Sequence, residues 1–148
     1  MRIAAPQDDR DSAWLAFRLA LWPEASEAEH LRGMVDAIAR GHYVGLALTE
    51  SLIAVGFVEA SKRVDYVNGT STSPVAFIEG LYVAPESRRR GVARALLESV
   101  MKWALREGCK ELASDSLLGN DAAHAVHRAL GFEETERVVY FCKVLGDA

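Results

Sequence analysis

The residues whose types and settings could do chemistry are a few carboxylates, a basic glycine turn and a histidine. Glu79 stands in a strand-like run that is otherwise apolar, Val75-Ala76-Phe77-Ile78 before it and Leu81 after it, beside the bulge-prone Gly80. A carboxylate there is poorly solvated, which raises its proton affinity and suits a general base acting directly or through water. The same side chain could instead pair with a neighbouring arginine, or face solvent on the alternate side of a strand. Farther on, Pro85 stops the apolar run, and a polar turn carries Arg88-x-x-Gly91-x-Ala93 into a long apolar-periodic segment. Such a turn is an anion site. The first helical N–H groups lack intrahelical partners, and the macrodipole adds roughly half a positive charge. Gly91 lets a phosphate approach the backbone without a Cβ in the way, Ala93 is nearly as small, and Arg88, Arg89 and Arg90 add fixed charge.

The remaining candidates have plainer alternatives. Asp115 ends the run Glu111-Leu112-Ala113-Ser114, and the carboxyl end of a strand in a covered sheet is where ligands bind. It could equally cap the turn from Ser116 to Gly119. Glu136 lies in the acidic string Glu133-Glu134-Thr135-Glu136, of a kind that is usually just solvated. Trp22 and Tyr66 are aromatics in expected loops, and Trp22 could as well be a core residue at a helix end. His127 could donate a proton at neutral pH or be a partly buried helix residue.

The elements that must position these residues can be read in order. Met1 to Ala5 is expected to be a short strand. A helix follows in which Trp14, Phe17, Arg18 and Leu21 recur at helical spacing, with Asp8 and Asp9 as plausible caps. Trp22-Pro23 ends it. Ser26-x-x-Glu29 is a capping box for a second helix carrying Leu31, Met34, Val35 and Ile38, closed by Gly41. Tyr43 to Leu48 and Leu52 to Ala60 read as a hairpin around Thr49-Glu50-Ser51. A long loop from Arg63 to Ser73 has its sharpest turn at Asn68-Gly69. Ala76 to Val83 is the central strand. Gly91 to about Arg106 is a helix with Val92, Leu96, Val100 and Trp103 inward. Lys110 to Asp115 is a strand, Asn120 to Leu130 the last helix, and Phe132 to Val144 a final strand. This order is a mixed-sheet α/β pattern.

The wider composition fits one soluble domain spanning residues 1–148, half apolar and a quarter charged. No apolar run approaches a bilayer-spanning length, and the N-terminal stretch lacks a signal-peptide core. Cys109 and Cys142 are far apart and are read as reduced, strand-associated residues of a cytoplasmic protein. A net charge of −4 disfavours nucleic acid and attracts cationic small molecules.

Arg88-x-x-Gly91-x-Ala93 after Leu81-Tyr82-Val83-Ala84-Pro85 resembles the acetyl-coenzyme A pyrophosphate loop of the GNAT superfamily of N-acetyltransferases. The strings VNG…SPVAFIEGLYVAPESRRRGVA, LASDS and HRALGFEETERV are similar to those of the aminoglycoside 6'-N-acetyltransferases, from Leu21-Trp22-Pro23 to Tyr140. The resemblance implies a GNAT acyl-CoA N-acyltransferase fold, a mixed sheet of about six to seven strands flanked by about four helices. In that fold adjacent strands splay apart, and the pantetheine arm lies in the gap. It implies acetyl transfer from acetyl-CoA to the 6'-amine of an aminoglycoside in a ternary complex, conferring antibiotic resistance, with no metal.

Such a transfer needs a neutral amine, aligned reactants, donors for the oxyanion and a proton for the leaving thiolate. The resemblance places the base at Glu79 and the cationic substrate against Glu79, Asp115 and Glu136, bordered by Trp22 and Tyr66. It gives the pantetheine arm to the backbone of Leu81, Tyr82 and Val83, and the pyrophosphate to Arg88, Arg89, Arg90, Gly91, Val92 and Ala93. Asn120-x-x-Ala123-x-x-Val126-His127 matches a superfamily pattern in which the asparagine contacts coenzyme A. His127 falls where many members carry the tyrosine that reprotonates the thiolate. Ala25 replaces a histidine that some relatives carry, so that contact is missing here. The resemblance also implies a homodimer. Competing expectations are an acetyltransferase of peptide, protein or other small-molecule amines, and a silent acyl-CoA-binding module, against which an intact Glu79 argues. Three arginines on an acidic domain make a poor nucleic-acid stripe.

Overall fold

The computed structural model of the chain describes residues 1–146. They fall into two compact units, the first running from Met1 to Asp115 and the second beginning at Ser116.

The first unit is built on a five-stranded sheet in chain order: β1 (Arg2–Ala4), β2 (Tyr43–Leu48), β3 (Ala54–Arg63), β4 (Val75–Val83) and β5 (Leu112–Ala113). β1 to β4 pair antiparallel, and β5 pairs parallel to β4 after the crossover helix. Three helices cover it: α1 (Ser12–Leu21), α2 (Glu27–Ala39) and α3 (Val92–Arg106). Successive residues of a strand point to opposite faces, and β3 shows which helix covers which. Phe57 is enclosed with Trp14 of α1 and Met34 of α2. A methyl group on its neighbour Gly56 would instead meet Val92 and Leu96 of α3.

Local chemistry explains most boundaries. The capping box at Ser26 and Glu29 is formed, and Gly41 follows α2 at φ +73°. α1 is capped one turn later than expected. Asp11, not Asp8 or Asp9, accepts from the N–H groups of Ala13 and Trp14, both at 3.0 Å. Asp8 is occupied by the Arg10 N–H at 2.8 Å. The hairpin turn extends through Leu52 and Ile53, so β3 starts at Ala54.

The second unit holds α4 (Asp121–Ala129), capped by Asn120. The strands expected over Lys110–Asp115 and Phe132–Val144 are corrected here. The first is only Leu112–Ala113, and residues 132–146 form no strand. The β-prone Val138-Val139-Tyr140-Phe141 has the right composition, but a strand exists only where its backbone groups meet an adjacent edge. Its side chains are exposed, and among the described residues the sheet has five strands rather than six or seven. Neither Cys109 nor Cys142 lies in a strand; both are free thiols.

Candidate active site

β4 carries the site, and its local irregularity comes from a bulge. Glu59 of β3 pairs with Gly80, whereas Ala60 pairs with Ile78, so Glu79 is the extra residue and has no partner across the ladder. The bulge re-aims the Glu79 side chain, which is 31 % exposed rather than poorly solvated. Ser61 donates its hydroxyl to Glu79 Oε1 at 2.5 Å, and Arg63 donates from NH2 at 2.8 Å. Pairing with a neighbouring arginine, one of the alternatives for Glu79, is thus realised. Arg63 itself lies over Phe77, its Cζ 3.6 Å from the ring centroid.

Beyond Phe77 no strand lies on the β5 side of β4 among the described residues, because β5 pairs only with Ala76 and Phe77. The edge running through Leu81, Tyr82 and Val83 is therefore left open, as a splayed sheet requires. The chain then turns through Pro85–Ser87 to Gly91, the N-cap of α3, at φ +82°. Among the described residues no side chain caps this helix, and a Cβ at Gly91 would find nothing within 4 Å. The exposed Arg88 is held by its Nε–H to the Val83 carbonyl at 2.8 Å and lies over Tyr82. Arg89, also at positive φ, and Arg90 are exposed. Val92 is buried and Ala93 half-buried. Uncapped N–H groups, room over the glycine and exposed cations together fit a pyrophosphate.

Trp22 is the C-cap of α1 and is half-buried against the Phe57 cluster. Its ring edge fills the space over Gly80, where a methyl group would sit 2.6 Å from Cη2. Trp22 is thus a packed residue at a helix end, as one of its two readings expected, and its ring also reaches the residue next to Glu79. Tyr66 is 73 % exposed on the loop between β3 and β4. That loop is tied down on either side. Val67 packs with Val75 and Phe77, and Gly69 makes the expected turn at φ +82°. Ser71 and Thr72 donate to Glu111, whose carboxyl is held below its usual range first by the Thr72 hydroxyl and then by the Ser71 amide. Asp115 is exposed, two residues beyond the end of β5.

In the second unit, Asn120 spends its side-chain oxygen on the Ala123 N–H at 3.1 Å, and Glu136 is exposed in the irregular segment. His127 is half-buried, edge-on to Phe132, with Nδ1 2.7 Å from the Ala123 carbonyl. A carbonyl only accepts, so Nδ1 carries a proton; a further proton could leave from Nε2 only in the imidazolium form.

Sequence reasoning missed two sets of residues. One is Ser61 and Arg63, the donors to Glu79. The other is a buried polar group behind Trp22, made of Arg18, His30 and Glu59. Arg18 NH1 lies 2.5 Å from Glu59 Oε1, and Glu59 is 3 % exposed, with no hydrogen-bond geometry to Oε2 among the described residues. Burial pushes the Glu59 carboxyl up to about 7 against the opposing charge of Arg18. A signal was present. Glu59 sits among Val55, Phe57 and Val58 as Glu79 sits among Phe77, Ile78 and Leu81.

The acetyltransferase (GNAT) family model matches residues 8–132. The chain belongs to that family. It is 48 % identical over 147 residues to an aminoglycoside N(6')-acetyltransferase type 1 of Acinetobacter baumannii, covering 99 % of this chain and 100 % of the relative. Among solved structures it is similar to the aminoglycoside antibiotic 6'-N-acetyltransferase AAC(6')-IG from Acinetobacter haemolyticus, at a TM-score of 0.92 and 45 % identity. That match covers 99 % of this chain and 100 % of the other. AAC(6')-Iy, whose structure is a complex with the bisubstrate analogue CoA-S-monomethyl-acetylneamine, matches at a TM-score of 0.89 and 38 % identity, over 98 % of this chain and 100 % of that one. The open β4 edge and uncapped α3 are therefore features of a GNAT chain. Among the described residues no cluster of histidine, cysteine or acidic side chains could hold a metal.

Proposed function

We propose that this chain transfers the acetyl group of acetyl-CoA to the 6'-amine of aminoglycosides by direct attack in a ternary complex. The observation that carries the reading is the bulged Glu79, next to the Gly80 that Trp22 covers and two residues before the open edge of Leu81 to Val83. Full-length similarity to enzymes of that name supports it. The amine arrives as an ammonium ion and must lose a proton before it can attack. Glu79, already a hydrogen-bond acceptor, takes that proton directly or through one water. The substrate ammonium takes the place of the exposed Arg63 guanidinium, while Ser61 keeps the carboxylate oriented. Asp115 and Glu136 serve the other amines of a polycationic substrate, and Trp22 and Tyr66 offer flat faces to the sugar rings. The backbone of Leu81, Tyr82 and Val83 pairs with the pantetheine arm, and one N–H of that strand polarises the thioester carbonyl. Arg88 to Ala93 hold the pyrophosphate, Asn120 contacts coenzyme A, and the His127 imidazolium returns a proton to the thiolate.

The family match crosses the boundary at Asp115, which supports treating both units as one functional domain. The exposed apolar side chains of Val139, Tyr140, Phe141, Val144 and Leu145 favour a homodimer, which sedimentation would detect. No helix of the described residues is long and apolar enough to cross a membrane. We read the enzyme as cytoplasmic and as a determinant of antibiotic resistance.

Thiol release from acetyl-CoA should be measured with aminoglycosides carrying a 6'-amine, one carrying a 6'-hydroxyl, polyamines and basic peptides. Turnover confined to the 6'-amine compounds is expected. Turnover with peptides alone would keep the family and overturn the substrate.

A further inference from the structure

Trp22 is held by a buried polar chain that the chemistry of acetyl transfer does not itself use. As the C-cap of α1, it has a backbone carbonyl beyond the reach of the helix's own donors. The Ala25 N–H approaches it at 3.4 Å, and His30 of α2, 2 % exposed, lies closer, its Nε2 2.9 Å from the Trp22 oxygen. The other ring nitrogen, Nδ1, is 3.3 Å from Arg18 Nε. A guanidinium can only donate, so Nδ1 accepts and the imidazole proton sits on Nε2, aimed at Trp22. Arg18 is fixed in turn by Glu59 through NH1. α2 leaves room for it at Gly33, where a methyl group would sit 2.5 Å from Arg18 NH2.

The same groups hold the indole ring. It stacks on His30 with centroids 6.2 Å apart and planes 17° from parallel, Arg18 lies 5.1 Å from its centroid, and Phe57 meets it edge-on. Its far edge closes over Gly80, next to the Glu79 bulge. The one buried group thus touches both the backbone and the ring of Trp22. A leucine or methionine core could fill this volume at equal or lower cost, since buried charges seldom stabilise a fold beyond well-packed apolar side chains. What apolar packing cannot do is direct a hydrogen bond to one carbonyl.

We propose that His30 is a positioning residue for the acceptor substrate: with Arg18 and Glu59 behind it, it sets the place and tilt of Trp22 beside Glu79. The inference rests on the reading of Trp22 as a wall of the aminoglycoside site.

The test is steady-state kinetics on His30→Leu, His30→Gln, Trp22→Ala and the His30→Leu/Trp22→Ala double variant, with melting temperatures to establish folding. His30→Leu should raise the aminoglycoside KM about five- to tenfold, the effect of losing one directed buried hydrogen bond, and leave the acetyl-CoA KM within about twofold. His30→Gln, whose amide nitrogen reaches the position of Nε2, should recover most of the loss. In the Trp22→Ala background, His30→Leu should add nothing, which a merely structural role would not produce. Should leucine prevent folding, Arg18→Lys removes the Nε donor and carries the same expectation. A full His30→Leu effect that persists without Trp22, or equal rises in both KM values, overturns the proposal. So does an unchanged aminoglycoside KM in His30→Leu when Trp22→Ala raises it, with the Trp22 assignment surviving. An unchanged KM in Trp22→Ala removes that assignment and the role of His30 together.

Discussion

Glu59→Gln probes the most unusual electrostatic feature of the fold. The two largest effects oppose each other at this carboxylate. Arg18, 2.5 Å away, favours the ionised form, while nearly complete burial disfavours it. Burial is the larger effect and lifts the carboxyl from an ordinary 4.5 to about 7. The sign for stability follows directly. Between about pH 4.5 and 7 the unfolded chain has released this proton and the folded chain has kept it, so stability falls as pH rises through the window. Below it both states are protonated, and above it both are ionised, so the curve is flat at either end. At about 1.4 kcal/mol per unit of pKa difference, the full loss is roughly 3 kcal/mol. Glutamine cannot ionise, so the variant removes this titration from the stability curve. Urea unfolding followed by tryptophan fluorescence, at intervals from pH 4 to pH 9, gives both stabilities. Wild type minus variant should decline across the window and then level off. A difference that rises with pH would show that Arg18 outweighs burial and that the site is an ordinary ion pair. A flat difference would refute the reasoning altogether.

Two further expectations concern the glycines. Gly91 sits at φ +82° with open space above it, and aspartate tolerates that backbone better than most residues. Gly91→Asp should therefore fold and yet weaken coenzyme A binding by at least about tenfold through charge repulsion at the α3 N-terminus, as read by calorimetry; unaltered affinity would defeat the pyrophosphate assignment. Gly80→Ala places a methyl group 2.6 Å from Trp22 Cη2, on a ring already clamped from behind. It should cost about 1–3 kcal/mol and raise the aminoglycoside KM, and a variant with unchanged melting temperature and KM would contradict the packing described here.

The course of the chain was legible where one local rule acted alone. The capping box at Ser26, the glycines at 41 and 69, and the helical periodicity of Trp14 to Leu21 each depend on neighbours in sequence. The first cap went to Asp8 and Asp9 because three aspartates lie close together, and only the partner of each carboxylate separates them. Strand ends were less legible. The runs from Lys110 to Asp115 and around Tyr140 read as strands in sequence, but pairing depends on an edge supplied by another part of the chain. Glu79 was legible as an acid in an apolar run, and so was Glu59, by the same signal. Nothing local distinguishes the carboxylate that a bulge turns outward from the one that stays buried with Arg18.

The central claim is that Glu79 takes the proton of the attacking amine, and the pH dependence of turnover in Glu79→Gln tests it most directly. Glutamine keeps the size and hydrogen-bonding reach of the side chain but cannot accept that proton. At neutral pH, where the amine is protonated, turnover should fall by about 100-fold or more, in the range of a lost general base. As pH rises and the amine deprotonates in solution, the deficit should shrink. A deficit of the same size at every pH, or no deficit at pH 7, would remove Glu79 as the base and leave it as a structural partner of Arg63.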